Sequence, residues 1–215
     1  MDKKIISIHI PKTAGTTFQS YLASAYDNNL IEVSTKPLFT RCDELSNRDK
    51  LHLNTFNEHV VHGHFTFDEI EYNKEYFYIT WLRDPVERVI SHYFFWKNRP
   101  DINMHPIEKK IKYENLSLAE FAEIPCMRNV GLFFLGKDGL NKINFIGITE
   151  LFDESMHLLF KQLNKKFEQK NIENQRVNKQ KEFVSDNVRK IIQDFNSTEC
   201  EVYNSLKNQI KKEKR

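Results

Sequence analysis

The chain has 215 residues, 40% of them hydrophobic and 29% charged, which suits one globular domain and excludes wholesale disorder. Its 32 Lys and Arg nearly balance 30 Asp and Glu, so net charge does not point to nucleic acid or a membrane surface as the partner. No apolar run reaches the roughly 20 residues of a membrane span, and no signal-peptide pattern is present. The three cysteines show neither metal-site nor framework spacing. We therefore expect no disulfide framework and a reducing, cytoplasmic compartment.

Four segments have the short, apolar and β-branched character of buried strands. They cover residues 4–10, 60–64, 76–82 and 143–148. Residues 28–58 are weakly patterned, with a possible helix at 48–54.

Helical periodicity and capping residues predict helices between and after these strands. They run from Thr16 or Thr17 to about residue 26, from Pro85 to about residue 98, as two short helices within 116–135, over 150–167, and as two helices within 183–210. Strands that alternate with helices indicate an α/β protein with a parallel sheet. We expect a single domain over residues 1–215, with a core in 1–167 and a basic loop and helices in 168–215.

The loop after the first strand has a composition suited to an anion. The segment PKTAGTT, residues 11–17, places a lysine, small residues and hydroxyls between a strand end and a helix start. Backbone N–H groups and the helix dipole converge at such a point, which favours a phosphate-like group. A Walker A loop is not supported, because Lys12 precedes Gly15 instead of following it. An ordinary strand-to-helix turn with a capping threonine is the alternative.

This loop and a second motif resemble sulfotransferases that use 3′-phosphoadenosine 5′-phosphosulfate (PAPS). PKTAGTT resembles their 5′-phosphosulfate loop. Residues 81–95 resemble their second signature, in which Arg83 ends a strand, Asp-Pro follows, and Ser91 lies eight residues after the arginine. The resemblance implies a P-loop-like three-layer sandwich, in which helices flank a central parallel sheet and the C-terminal region is helical.

The resemblance also assigns residues to PAPS. The loop residues implied for the 5′-phosphosulfate are Lys12, Thr13, Ala14, Gly15, Thr16 and Thr17. Arg83 and Ser91 are implied for the 3′-phosphate, and a guanidinium and a hydroxyl are chemically suited to that group. Lys12 is further implied in catalysis, because its charge would neutralise the bridging oxygen to the departing adenosine bisphosphate (PAP).

Two histidines stand at the end of the second predicted strand. His62 and His64 are two residues apart, so in extended backbone their side chains point to the same face. By themselves they are compatible with a zinc site, a general base or a merely polar strand end. The segment His62-Gly63-His64 resembles one in heparan sulfate and uronyl 2-O-sulfotransferases, whose RDPIER-type motif also resembles the RDPVER of this chain. This resemblance implies that His64 is the catalytic base and His62 its helper.

Two later segments match the family less specifically. Residues 147–150 resemble its GxTE segment, although a plain strand-to-helix turn explains them equally well. Arg176 and Lys179 fall in a basic loop, where these enzymes close over the nucleotide, and a solvated loop is the alternative.

Together these features predict a metal-independent O-sulfotransferase that uses PAPS and a carbohydrate or glycolipid acceptor. Direct in-line transfer with a histidine base is the expected mechanism. A non-catalytic domain that binds PAP or another nucleotide is one alternative. A small-molecule kinase is another.

Overall fold

The central sheet has five parallel strands within the part of the chain that the computed structural model describes, residues 3–35, 41, 50–102, 104–167 and 183–213. In chain order the strands are β1 Ile5–Ile8, β2 Leu30–Ser34, β3 Val60–His64, β4 Phe77–Leu82 and β5 Phe145–Ile148. They lie in the order β2-β3-β1-β4-β5, and every neighbouring pair is parallel. The predicted parallel α/β sheet is therefore confirmed.

Strand burial follows position in the sheet. All four residues of β1 are buried, as expected for a strand with a neighbour on each side and helices on both faces. In contrast, β2 is half-buried or exposed along its length because it lies at the sheet edge. Strand β2 was not predicted, since an edge strand carries a weaker apolar signal.

Nine helices accompany the strands in the described residues. They are α1 Gly15–Ala25, α2 Pro85–Asn98, α3 Pro106–Tyr113, α4 Leu118–Glu123, α5 Val130–Leu135, α6 Gly139–Lys142, α7 Phe152–Gln162, α8 Asp186–Phe195 and α9 Ser197–Glu213. Of the helix predicted at 48–54, the structure describes residues 50–54, and in them it shows a 3-10 turn that covers Leu53–Thr55. Helix α3 was not predicted.

Helices cover both faces of the sheet. Trp81 and Leu82 are consecutive in β4, so their side chains point to opposite faces. The Trp81 ring meets Phe18 of α1 at 5.1 Å and Phe152 of α7 at 4.6 Å between centroids. Leu82 packs beside Gly131 of α5 on the other face. The expected three-layer, P-loop-like sandwich is thus confirmed.

A second apolar cluster joins the helices that follow β4. Its buried residues come from α2, α3, α4 and α8, together with the turn after α4: Val89, Tyr93, Phe94, Trp96, Ile107, Ile111, Phe121, Ala122, Met127 and Ile192. The first of these helices begins as predicted, because Asp84 accepts hydrogen bonds from the N–H groups of Val86 (2.9 Å) and Glu87 (3.2 Å). Pro85 occupies its first position.

The cysteines depart from the sequence expectation. Cys126 is disulfide-bonded, whereas Cys200 is a free thiol. Spacing along the chain could not reveal this, because the approach of cysteines in space depends on tertiary folding. The cysteines therefore do not indicate a reducing compartment, and the cytoplasmic location stays a prediction. Among the helices described, none is long and apolar enough to cross a membrane.

Candidate active site

The candidate site lies at the carboxyl edge of the sheet, where β1 stands between β3 and β4. The chain leaves β1 towards one side of the sheet and later crosses to the other side, so this edge is a topological switch point, the usual ligand position in open α/β sheets. The loop after β1 begins at this edge. The histidines of β3 and the arginine after β4 lie at the same edge, where those strands end. Sequence motifs from separate parts of the chain are therefore brought to one edge.

The loop between β1 and α1 has an unusual backbone. The φ angle is +71° at Lys12 and +63° at Ala14, so two residues with side chains adopt the left-handed region. Such conformations cost roughly 1–3 kcal/mol each and often occur at functional sites. Thr13, between them, is buried, and its hydroxyl donates to the Ile10 carbonyl at 2.8 Å. The hydrogen bond between Thr13 and Ile10 therefore stabilises the conformation of the loop.

The start of α1 has N–H groups suited to an anion. Ala14 is the N-cap residue and provides no side-chain hydrogen bond to the first turn. Thr16 and Thr17 lie in this turn, half-buried, with no side-chain hydrogen bond to the described part of the chain. The helix dipole and the alternating loop backbone favour a negative group at this point. All six loop residues implied for the phosphosulfate thus lie in the loop or the first helical turn.

His64 is held in one tautomer. Its Nδ1 lies 2.7 Å from the carbonyl oxygen of His9, and a carbonyl can only accept, so Nδ1 carries the proton. The Nε2 atom of a neutral His64 therefore keeps its lone pair. Burial lowers the pKa of His64 below its usual value, while the His9 hydrogen bond and the charge of Glu32 raise it in opposition. The neutral, basic form is accordingly the one favoured near pH 7.

His62 is more deeply enclosed than His64. It is 1% exposed, and its Nδ1 lies 2.8 Å from the Ser7 hydroxyl oxygen. Its Nε2 is buried without a hydrogen-bond partner among the described residues. Burial, with a smaller contribution from His64, lowers the pKa of His62 to about 3. His62 therefore stays neutral near pH 7.

The low pKa of His62 predicts a pH-dependent stability. In the unfolded chain this histidine would titrate near its ordinary value of 6.5, so the unfolded state binds more protons between that pH and about 3. Stability should thus fall as pH drops through this window, by up to about 1.4 kcal/mol per pH unit from this one group. Urea unfolding between about pH 7 and pH 5 measures the slope, and His62→Gln should make it shallower. Equal slopes in both proteins would show that folded His62 accepts the proton.

A third histidine, missed in the sequence analysis, joins the pair. The His9 ring stacks on His62 at 5.0 Å and on His64 at 4.2 Å between centroids. The His9 backbone N–H also donates to the Gly63 carbonyl at 2.7 Å. A Cβ atom at Gly15 would lie 1.9 Å from His9 Nε2, so this glycine makes room for the ring. His9 thus links the anion loop to the candidate base.

Gly63 is required by the close approach of β3 and β2. A Cβ atom there would lie 1.7 Å from the Val33 carbonyl oxygen, which is backbone and cannot move without disturbing strand pairing. Gly63→Ala should therefore lower the free energy of unfolding by about 3 kcal/mol. Gly139→Ala is the matched control, since its nearest contacts are side-chain atoms at 3.3 Å. Denaturant unfolding compares the two, and equal midpoints would contradict the strand packing described.

Lys12 and Arg83 connect the loop to α2. The Lys12 ammonium lies 4.0 Å from the centre of the Phe95 ring, and Arg83 Nη1 donates to the Lys12 carbonyl at 3.2 Å. Ser91 is one helical turn before Phe95, so both lie on the same side of α2. Its half-buried hydroxyl has no hydrogen bond to the residues described. Lys12 therefore lies against the side of α2 that carries Ser91, and Arg83 contacts the backbone of the same loop.

The GxTE segment fastens β5 to this region. The Thr149 hydroxyl donates to the Leu82 carbonyl at 2.9 Å, at the end of β4. The Glu150 carboxylate accepts from the Asp84 N–H, at 3.1 Å by one oxygen and 3.3 Å by the other, and lies 3.8 Å from Arg83 Nε. The segment thus contacts the proposed PAPS arginine, an arrangement that its sequence alone left open.

Some expected features fall elsewhere. Arg176 and Lys179 lie outside the described residues. Arg88 is buried and lies 3.6 Å from Glu199 of α9, which gives it a structural place between helices. Within the described ranges, no group of three His, Cys, Asp or Glu side chains is arranged to hold a metal ion.

Comparisons with known proteins identify the family of this chain. A family model described as "Sulfotransferase family" matches residues 1–205. A search of curated proteins found no match. Among solved structures, mouse sulfotransferase SULT7A1 complexed with PAP is similar, with a TM-score of 0.48 and 11% identity over 79% of this chain. The match covers 61% of the mouse chain, so this chain spans less than two thirds of that protein. Because this family model matches nearly the whole length of the chain, the chain belongs to the sulfotransferase family.

Proposed function

We propose that this protein is a PAPS-dependent O-sulfotransferase in which His64 is the general base. The observation that carries the proposal is the hydrogen bond from His64 Nδ1 to the His9 carbonyl, which leaves Nε2 as a proton acceptor. Family membership supports sulfuryl transfer as the general chemistry. The proposal adds the cofactor, the base and the acceptor class.

The residues present fit PAPS as the sulfuryl donor. The N–H groups at the start of α1 suit the 5′-phosphosulfate, with Lys12 beside them. Arg83 and the Ser91 hydroxyl suit the 3′-phosphate. Arg176 and Lys179 would complete the nucleotide site from the basic loop. When bound, PAPS supplies the sulfuryl group and carries PAP as its leaving group.

The side chains of the site divide the remaining work. His64 Nε2 would accept the proton that the acceptor hydroxyl gives up on becoming sulfated. The Lys12 ammonium places positive charge where negative charge develops on the leaving oxygen. His62 stays neutral and helps to position the base and the acceptor. This division of roles needs no metal.

A carbohydrate or glycolipid hydroxyl is the proposed acceptor. The support is the His62-Gly63-His64 segment together with Arg83-Asp84-Pro85, which resemble the heparan sulfate and uronyl 2-O-sulfotransferase branch. A cytoplasmic location is part of the same proposal.

Binding and transfer assays test the proposed function together. We expect PAP to raise the melting temperature and radiolabelled PAPS to label at least one member of a panel of sugar and glycolipid acceptors. PAP binding without transfer to any acceptor would instead support a non-catalytic binding domain. Protection by ATP but not PAP, with phosphate transfer, would support a kinase. If neither nucleotide protects the protein, the PAPS assignment is wrong.

A further inference from the structure

Glu150 stands at a junction that the proposed reaction does not use directly. Its carboxylate contacts two adjacent residues at the end of β4, the Asp84 N–H at 3.1 Å and Arg83 Nε at 3.8 Å. It also accepts a hydrogen bond from the Tyr203 hydroxyl of α9 at 2.8 Å. One side chain therefore connects β5, the β4–α2 turn and the C-terminal helix.

These contacts restrict the Arg83 guanidinium from two sides. Glu150 lies beside Nε, while the Lys12 carbonyl accepts from Nη1 at 3.2 Å. A guanidinium is planar, so the hydrogen bond at Nη1 and the ion pair at Nε together favour one direction of the whole fork. Glu150 also holds the Asp84 N–H, which belongs to the peptide that follows Arg83. Both the backbone and the side chain of this arginine are thus oriented.

Tyr203 in turn holds the carboxylate. Its ring is buried in the core, and its hydroxyl donates to Glu150 Oε2. Burial, and then the hydrogen bond to Glu150, raise the pKa of Tyr203, so the phenol remains a donor at every working pH. The Thr149 hydroxyl, bonded to the Leu82 carbonyl at 2.9 Å, fixes the neighbouring backbone. Glu150 is therefore anchored on the side away from Arg83.

The charge of Glu150 makes a positioning role testable. A carboxylate beside an arginine that binds phosphate repels that phosphate, so electrostatics alone predicts tighter binding when Glu150 is removed. Orientation predicts the opposite sign, because a freely rotating guanidinium loses entropy and alignment on binding. Resting on the proposed function, we propose that Glu150, held by Tyr203, is a positioning residue that aims Arg83 at the 3′-phosphate of PAPS.

The test compares PAP with adenosine 5′-monophosphate, which lacks the 3′-phosphate. Calorimetry gives the affinity for each ligand. The affinity for PAP divided by the affinity for the monophosphate reports the 3′-phosphate contact alone. We expect Glu150→Ala to lower this ratio about tenfold by weakening PAP binding, with little change for the monophosphate. Tyr203→Phe should lower it by about threefold, since the carboxylate remains but loses one hydrogen bond.

Glu87→Ala is the matched control. Glu87 lies in the first turn of α2 and pairs with Arg189 at 2.7 Å, so this variant also removes a carboxylate from an arginine pair. We expect it to leave the affinity ratio unchanged. In an Arg83→Ala background, Glu150→Ala should have no further effect on the ratio, because Glu150 affects PAP binding by orienting Arg83.

The possible results separate this inference from the proposed function. A wild-type protein that does not prefer PAP to the monophosphate would overturn the proposed function and this role together. A wild-type preference that Glu150→Ala leaves unchanged or strengthens would overturn the positioning role only. A further loss in the Arg83→Ala background would also overturn it. Tyr203→Phe, with its melting temperature checked, keeps the test decisive if Glu150→Ala does not fold.

Discussion

Replacing His64 with alanine is expected to lower kcat at least about a hundredfold, the lower range of general-base contributions, while leaving PAP affinity unchanged. The reason is geometric. The His9 carbonyl accepts from His64 Nδ1, so Nε2 is the ring atom with a lone pair for an acceptor hydroxyl. Transfer from radiolabelled PAPS gives the rate, and calorimetry with PAP gives the affinity.

His157→Ala is the control for this variant. His157 is an exposed histidine of α7, and its ring contacts Phe167 at 4.7 Å between centroids. Its removal should change neither turnover nor PAP affinity. Full turnover by His64→Ala would place the base elsewhere, whereas a combined loss of turnover and PAP binding would show that His64 supports the nucleotide site.

The pH profile provides a second test of the same role. A general base must be neutral, and burial lowers the pKa of His64 below its ordinary 6.5. The acidic limb of kcat/KM should therefore lie below that pH. Glu32 opposes this shift by raising the pKa, so Glu32→Gln should move the limb to still lower pH. A limb that moves to higher pH in this variant would contradict His64 as the titrating group.

Local sequence patterns predicted the strands that carry the site. The apolar runs that became β1 and β4 are buried on both faces, so composition alone marked them. Asp84 and Pro85 likewise marked the start of α2 through capping chemistry, which is local. The edge strand β2 was missed because it packs against β3 alone and keeps a mixed sequence.

The parts of the site that sequence could not predict depend on approach between distant segments. His9 was unremarkable beside the anion loop until the pairing of β1 with β3 brought it against His62 and His64. A histidine two residues before Pro11, the first residue of PKTAGTT, is the one local signal that could have drawn attention to it. The contacts of Glu150 with Arg83 and Tyr203 join residues 53 or more positions apart. No spacing rule reports such contacts.

Replacing Lys12 with methionine should lower kcat by about a hundredfold to a thousandfold, the usual cost of losing one group that stabilises developing charge. Methionine keeps an unbranched apolar chain, so packing near Phe95 is largely retained while the ammonium is lost. The cost of the left-handed backbone at position 12 is similar for lysine and methionine, since neither residue is glycine. Single-turnover transfer from PAPS measures the chemical step.

Lys97→Met is a closely matched control for this substitution. Lys97 belongs to α2, and its ammonium lies 5.6 Å from the centre of the Phe94 ring, a lysine–phenylalanine pair like that of Lys12 and Phe95 at 4.0 Å. Lys97 is exposed, and it follows Phe95 by two residues, so it lies on another side of α2 from that ring. If Lys12 acts through charge at the leaving oxygen, Lys12→Met loses turnover, Lys12→Arg recovers part of it, and Lys97→Met keeps it. Equal activity in both methionine variants would show that the cation beside Phe95 serves packing alone, and would remove Lys12 from the catalytic role.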